Sequence, residues 1–141
     1  MHALTDITGF GLLGHLLEVC RGANLSAFLD MGKIPLLAEV EQLATAGYIT
    51  GASARNWMAY GADVALEATI TPMQRALLTD PQTSGGLLVA CQPEAVDEVL
   101  EVFRIEGFAE AAVKKQNMKV SLKFSGSGLV RPRYASSMPS P

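Results

Sequence analysis

The sequence lacks the features of a membrane-spanning or disulfide-stabilised protein. No apolar run approaches the ~20 residues that a membrane helix needs, because His15 and Glu18 interrupt the longest candidate. The first residues also lack the basic and apolar regions of a signal peptide, so we expect a cytoplasmic protein. The only two cysteines, Cys20 and Cys91, lie far apart among apolar neighbours, which is typical of buried thiols rather than of a disulfide or metal site.

Familiar catalytic and metal-binding patterns are absent too. His2 and His15 show no metal-ligand spacing with a cysteine or with each other, and His15, on the first predicted helix, is interpreted as a packing or capping residue rather than a catalyst. There is no Ser-His-Asp pattern, paired-carboxylate signature or Walker-type phosphate loop. All 14 acidic residues lie at or before Glu110 and a basic end follows, but no aromatic platform or nucleic-acid motif accompanies it. We therefore expect neither nucleic acid nor a membrane as a partner.

What the chain does contain is enough apolar sequence for one buried core. With 141 residues and 49% hydrophobic residues, it predicts a single domain. Helical and strand periodicities alternate along the chain, which predicts an α/β (α+β) layer structure with helices covering a mixed sheet. The predicted helices cover 12–20, 38–46, 72–78 and 93–107, with a short one near Ser53; the predicted strands cover 25–30, 87–91 and 120–124, with a strand or linker at 63–68 and a strand ending near Leu4.

Residues 5–11 are the first candidate for chemistry. Asp6 and the hydroxyls of Thr5 and Thr8 precede a helix in a turn interrupted by glycines. Such a turn can bring backbone amides close to a phosphate, and the Asp6 carboxylate could hold Mg²⁺ against phosphate oxygens. An ordinary helix start, with Asp6 or Thr8 capping free amides, explains the pattern equally well.

Residues 80–86 are the second candidate. Asp80, Thr83, Ser84, Gly85 and Gly86 precede the strand predicted at 87–91, which is apolar on both faces and therefore typical of a central, doubly buried strand. A loop this rich in short donors can wrap an anion. A tight turn is the competing interpretation, since Asp-Pro begins turns and paired glycines end them. Two such loops in one small domain favour a ligand that both of them contact.

A third pair of polar residues lies beside the only tryptophan, Trp57. Arg55 could contact a phosphate, and Asn56 could fix a substrate or a loop. A surface arginine and a helix-capping asparagine next to a core tryptophan are the simpler interpretation.

These segments together resemble a known family. Residues 1–15 (MHALTDITGFGLLGH), 51–56 (GASARN) and 80–86 (DPQTSGG) are similar, in this order, to the C-terminal domain of selenophosphate synthetase, also called selenide, water dikinase. That family belongs to the aminoimidazole ribonucleotide synthetase superfamily. The similarity extends over roughly residues 1–110, and the chain departs from the family pattern after Ala112.

The resemblance implies a three-layer α/β/α sandwich and a reaction in which ATP, selenide and water yield selenophosphate, AMP and phosphate. In the family, a preceding ATP-binding domain supplies the catalytic Cys or selenocysteine, a Lys, two metal-binding Asp residues and most of a homodimer interface. Asp6 matches the family Asp that binds Mg²⁺ bridging the ATP phosphates. Thr83, Ser84, Gly85 and Gly86 match a motif at the wall of the cleft, and no catalytic residue is expected in this chain.

We assign residues 1–125 to this domain, and the Gly, Ser, Pro and Arg residues that dominate from Ser125 onward predict a disordered tail over 126–141. A stand-alone phosphate- or nucleotide-binding module is the alternative function, and a structural domain with an exposed apolar docking face is a third.

Overall fold

The computed structural model describes residues 1–113 and 120–122. No helix within these two ranges is long and apolar enough to cross a membrane. The tail predicted for 126–141 lies outside them. The strands are β1 (Ala3–Asp6), β2 (Phe28–Leu29), β3 (Val64–Leu66), β4 (Leu87–Ala90) and β5 (Val120–Leu122), and the helices are α1 (Gly11–Ala23), α2 (Val40–Thr45), α3 (Gly51–Tyr60), α4 (Pro72–Thr79) and α5 (Val96–Ile105).

The strands form two small antiparallel sheets. One contains β1 and β4, and the other has the order β2-β5-β3. The predicted α/β class is therefore confirmed, but every pairing within the described ranges is antiparallel, so no parallel pair of a mixed sheet is seen there. The prediction of a central, doubly buried strand at β4 is wrong for this part of the chain, since β1 is its one described neighbour and Leu87 is 55% exposed.

The core forms around the apolar face of α1. Leu13 and Leu17 are completely buried, and residues from six other segments pack against them. Burying a leucine side chain contributes about 1.5–3 kcal/mol, so this face anchors the fold. The buried cluster comprises Leu13, Leu16, Leu17, Cys20, Leu29, Met31, Tyr60, Val64, Ile70 and Leu78.

Several predicted helix boundaries are confirmed. The Thr71 side chain accepts a hydrogen bond from the Gln74 backbone, the Gln74 side chain accepts one from the Thr71 backbone, and Pro72 occupies the first turn of α4. Gly47 and Gly107 follow α2 and α5 with φ of +93° and +91°, a conformation that glycine adopts without strain.

Two boundaries differ from expectation, one because of a local turn at the end of α1 and the other because of strand pairing. The strand predicted at 25–30 shrinks to β2, since Asn24 turns left-handed at the end of α1 and the Leu25 N–H donates to the Cys20 carbonyl. At the start of the chain, Thr5 and Asp6 belong to β1 rather than to the turn before α1, because they pair with Leu88 and Leu87 of β4.

The two cysteines are free thiols, as predicted. Cys20 is only 4% exposed, and this burial raises the pKa of its thiol. Cys91 is partly buried.

Candidate functional site

The antiparallel pairing of β1 with β4 brings the two candidate loops together. Asp6, the last residue of β1, lies opposite Leu87, the first residue of β4. The segment that leaves β1 (residues 7–10, the first loop) must therefore touch the segment that enters β4 (residues 80–86, the second loop). Two backbone hydrogen bonds join them, from Ile7 N–H to the Gly86 carbonyl at 2.9 Å and from Gln82 N–H to the Thr8 carbonyl at 3.0 Å.

Glycines allow this close approach. A Cβ atom on Gly85 would lie 1.9 Å from the Ile7 carbonyl oxygen, and one on Gly11 would lie 2.7 Å from the backbone carbon of Thr79. Gly11 also has φ of +69°. The paired glycines of the second motif therefore divide their roles, because Gly85 packs on the first loop, whereas Gly86 has nothing within 4 Å of its would-be Cβ.

Helix α3 ties both loops to the core. Asn56 donates hydrogen bonds to the carbonyls of Gly9 and Thr79, each at 2.9 Å. The Tyr60 hydroxyl donates to the Phe10 carbonyl at 2.6 Å. Burial raises the pKa of Tyr60 to about 12, against a smaller opposing effect of the Gly14 backbone.

The simple interpretation of Asn56 as a helix cap is therefore wrong. The α3 cap is Thr50, whose hydroxyl accepts from Ser53 N–H and donates to the Asp80 carboxylate at 2.7 Å. Arg55 is exposed, and Trp57 packs against the core with the Arg75 guanidinium 5.1 Å from its ring centre.

Asp6 is exposed and has no hydrogen bond or ion pair from its carboxylate within the described part of the chain. Directly opposed residues of an antiparallel pair share a face, so Asp6 lies on the same face of the β1–β4 ribbon as Leu4 and Leu87, which are 50% and 55% exposed. The alternative in which Asp6 or Thr8 caps α1 is not seen, because the cap residue is Phe10 and no side chain bonds there.

Thr83 and Ser84 are exposed, and neither hydroxyl has a hydrogen-bond partner among the described residues. The hydroxyls of the first motif are different. Thr5 bonds the Asp6 carbonyl, and Thr8 lies 3.1 Å from Nε2 of the buried His15. His15, interpreted from the sequence as a packing or capping residue, therefore fixes the first loop from inside.

The structure adds residues that the sequence patterns did not single out. Ser53 and Thr79 are buried and lie 2.7 Å apart through their hydroxyls, which join α3 to the end of α4. No motif marks these two residues, although Ser53 lies three residues from both Thr50 and Asn56 and is therefore on the same side of α3 as those two.

The donor set near Asp6 fits part of a magnesium site. Mg²⁺ takes six oxygen ligands and commonly retains waters while binding one or two carboxylates and phosphate. Within residues 1–113 and 120–122, no group of three or more His, Cys, Asp or Glu side chains is arranged to hold a metal. Asp6 is therefore suited to provide one ligand, with the others coming from phosphate, water or another part of a protein.

A cleft of about 250 Å³ lies elsewhere, between α3 and α4. It is lined mainly by apolar residues, and neither Asp6 nor residues 83–86 reach it.

Known proteins show the same domain. The sequence matches the family described as "AIR synthase related protein, C-terminal domain" over residues 1–113. Proteins named selenide, water dikinase are 63% identical in Burkholderia ambifaria, 61% in Pseudomonas straminea and 53% in Rhizobium meliloti, each over 113 residues. These alignments cover 80% of the chain but only 32% of each relative, so the chain spans about a third of their length. The resemblance predicted from the three motifs is confirmed: the chain belongs to the AIR synthase related family, as a C-terminal domain similar to that of selenide, water dikinases.

Proposed function

We propose that this chain is the C-terminal domain of a selenide, water dikinase, which converts ATP, selenide and water to selenophosphate, AMP and phosphate. The observation that carries the proposal is the 63% identity to a protein of that name across the region that holds all three motifs. Since the chain spans only about a third of such proteins, the catalytic residues and most nucleotide contacts would come from an ATP-binding domain absent here. The whole enzyme would act as a homodimer in the cytoplasm.

Within this function, Asp6 would be a Mg²⁺ ligand and the second loop a wall of the ATP-phosphate cleft. The exposed, unpaired Asp6 carboxylate supports the first role, and the exposed hydroxyls of Thr83 and Ser84 support the second. Bound Mg²⁺ would offset negative charge on the phosphate oxygens during phosphoryl transfer. The contribution of Asp6 is a fixed anionic oxygen at the end of β1, whose position does not depend on a flexible loop.

The test replaces Asp6 with asparagine in a full-length enzyme carrying this domain. We expect Asp6→Asn to lower selenide-dependent ATP consumption by about 10- to 100-fold at low Mg²⁺, with partial recovery at high Mg²⁺, because a neutral amide is a weaker ligand. The matched control is Asp97→Asn, an identical change at an exposed position in the first turn of α5. Near-normal turnover of Asp6→Asn at low Mg²⁺ contradicts the role of Asp6.

A stand-alone phosphate-binding module is the competing function, and the free hydroxyls of Thr83 and Ser84 are compatible with it. Calorimetry of the isolated chain with ATP and Mg²⁺ separates the two. Tight binding by the chain alone favours the module, whereas a partial site binds weakly because most of its ligands are missing.

A further inference from the structure

Asn56 links the first loop to the end of α4, directly before the second loop, and the proposed function assigns it no role. It lies on α3, where its side chain is half-buried. One Nδ2 group donates to Gly9, in the first loop, and to Thr79, the residue immediately before the second loop. Both distances are 2.9 Å, a normal length for such bonds.

The geometry leaves no other proton on that group. A primary amide nitrogen carries two N–H bonds, so Asn56 uses its full donor capacity on the two backbones. The chain is closely packed beside these carbonyls, since the would-be Cβ of Gly11, two residues after Gly9, lies 2.7–2.9 Å from backbone atoms of Thr79 and Asp80. Asn56 therefore links the Gly9 and Thr79 carbonyls across this contact, in addition to the two backbone hydrogen bonds between the loops.

We propose that Asn56 is a positioning residue, which sets the separation of the first and second loops and so holds Asp6 and the Thr83–Ser84 hydroxyls in register for one ligand. This inference rests on the proposed function for the identity of that ligand, a metal-bound phosphate. Asn56 itself touches neither Asp6 nor the second-loop hydroxyls. It acts through the Gly9 and Thr79 carbonyls and the cross-loop hydrogen bonds of Ile7 and Gln82.

The test compares Asn56→Asp with Ser53→Ala. Aspartate has almost the same shape as asparagine but has only acceptors when ionised, so it faces the two carbonyls without a donor. Ser53 lies one turn earlier on α3 and also bonds the end of α4, through Ala76 O and the Thr79 hydroxyl, but it makes no hydrogen bond to the first loop. Ser53→Ala therefore weakens the same helix contact and leaves the Gly9 carbonyl bonded to Asn56.

The first measurement is amide hydrogen exchange on the 141-residue chain without metal or nucleotide. In Asn56→Asp, we expect the Ile7 and Gln82 amides to exchange at least about tenfold faster relative to the Leu17 amide of the core, because the loops separate without global unfolding. In Ser53→Ala, the three amides change together. If Ile7 and Gln82 follow Leu17 in both variants, the loops do not depend on Asn56 and the inference is wrong. Asn56→Ala, which removes the donors without adding repulsion, provides the same comparison should Asn56→Asp not fold.

The second measurement uses Mn²⁺ alone as a paramagnetic probe of the same chain. We expect the broadening of the Thr83 and Ser84 amide signals, relative to that of Asp6, to be the same in the unmodified chain and in Ser53→Ala and to be smaller in Asn56→Asp, because the broadening falls steeply with distance from the metal. An unchanged ratio in Asn56→Asp overturns the inference.

The two proposals can fail separately. Hydrogen exchange involves no ligand, so its result stands even if Asp6→Asn retains full turnover in the enzyme. Conversely, a large effect of Asp6→Asn together with unchanged exchange at Ile7 and Gln82 in Asn56→Asp keeps the proposed function and rejects the role of Asn56.

Discussion

Gly85 offers the sharpest test of the contact between the two loops. A Cβ atom there would lie 1.9 Å from the Ile7 carbonyl oxygen, 2.8 Å from the Ile7 carbonyl carbon and 3.0 Å from the Gln82 side chain. The first two atoms are backbone, so the clash cannot be relieved by a rotamer change. Gly85→Ala must therefore move the first and second loops apart by about 1 Å.

This displacement has a cost that can be worked out. Inserting a methyl group into a closely packed site costs about 1–3 kcal/mol. The shift also breaks the Ile7–Gly86 and Gln82–Thr8 hydrogen bonds, each worth about 0.5–1.5 kcal/mol net. We expect Gly85→Ala to lower the free energy of unfolding by about 2–5 kcal/mol, which is a large part of the 5–15 kcal/mol typical of a domain.

The adjacent glycine is the matched control. A Cβ on Gly86 meets nothing within 4 Å, and Gly86 does not have a positive φ. Gly86→Ala should therefore leave stability unchanged or raise it by about 0.4–1 kcal/mol, because alanine restricts the unfolded chain.

Urea unfolding followed by Trp57 fluorescence measures both variants, since Trp57 is the only tryptophan and packs against the core. We expect the midpoint of Gly85→Ala to fall by roughly 1–3 M relative to Gly86→Ala. Equal midpoints for the two variants would show that the loops do not approach as closely as the structure describes, and the reasoning on Gly85 would be refuted.

Two further predictions concern the face of α1 that meets α3. Gly14→Ala should destabilise the chain by about 1–3 kcal/mol, because its Cβ would lie 2.6 Å from that of Phe10 and 3.0 Å from the Tyr60 ring. Gly22→Ala in the same helix has open space around it and should stabilise the chain by up to about 1 kcal/mol. Thermal unfolding compares the two variants, and a stabilising Gly14→Ala contradicts the packing. Because burial raises the pKa of Tyr60 to about 12 from an ordinary value of 10.0, the stability that Tyr60 contributes is fully present below about pH 10 and is lost as pH rises through 12. Ultraviolet titration with Tyr60→Phe as the reference checks this, and ionisation of Tyr60 at pH 10 in the folded chain contradicts it.

Local sequence rules predicted the parts of the fold that local interactions determine. The apolar face of α1 follows from leucines at helical spacing, and the start of α4 follows from Thr71 as the cap and Pro72 at the first helical position. These features were correct because a helix and its cap are formed by residues within four positions of each other.

Strand positions were predicted less well because strands depend on distant partners. An apolar run such as β4 is typical of a central strand, yet in the described part of the chain it pairs with β1 alone and leaves Leu87 half exposed. The same pairing extends β1 through Asp6, which the turn-like sequence after it did not indicate.

The candidate site was predictable in its components and not in its assembly. Glycine pairs, hydroxyls and Asn56 all stood out in the sequence, and a ligand touching both loops was inferred from their similar composition. Only the pairing of β1 with β4 shows why the loops meet. The roles of Gly85 and Asn56 could not be predicted from the sequence. Both residues contact backbone carbonyls rather than a ligand, and every residue has the same backbone carbonyl, so no sequence pattern marks these contacts.

The surroundings of Asp6 determine what the isolated chain can do with a metal. On its face of the ribbon the side chains of Leu4 and Leu87 offer no oxygen, and within the described residues Asp6 belongs to no group of three or more His, Cys, Asp or Glu that could hold a metal. A hard cation held by one exposed carboxylate retains most of its water and is held weakly, since each missing oxygen ligand must be replaced by solvent. Under the proposed function, most of the affinity for Mg²⁺ would therefore come from the phosphates and from carboxylates elsewhere in a larger protein. Under the proposed function, Asp6→Asn should leave Mg²⁺ binding by the lone chain almost unchanged in calorimetry, because it is weak to begin with, while it changes the Mg²⁺ dependence of the full-length enzyme.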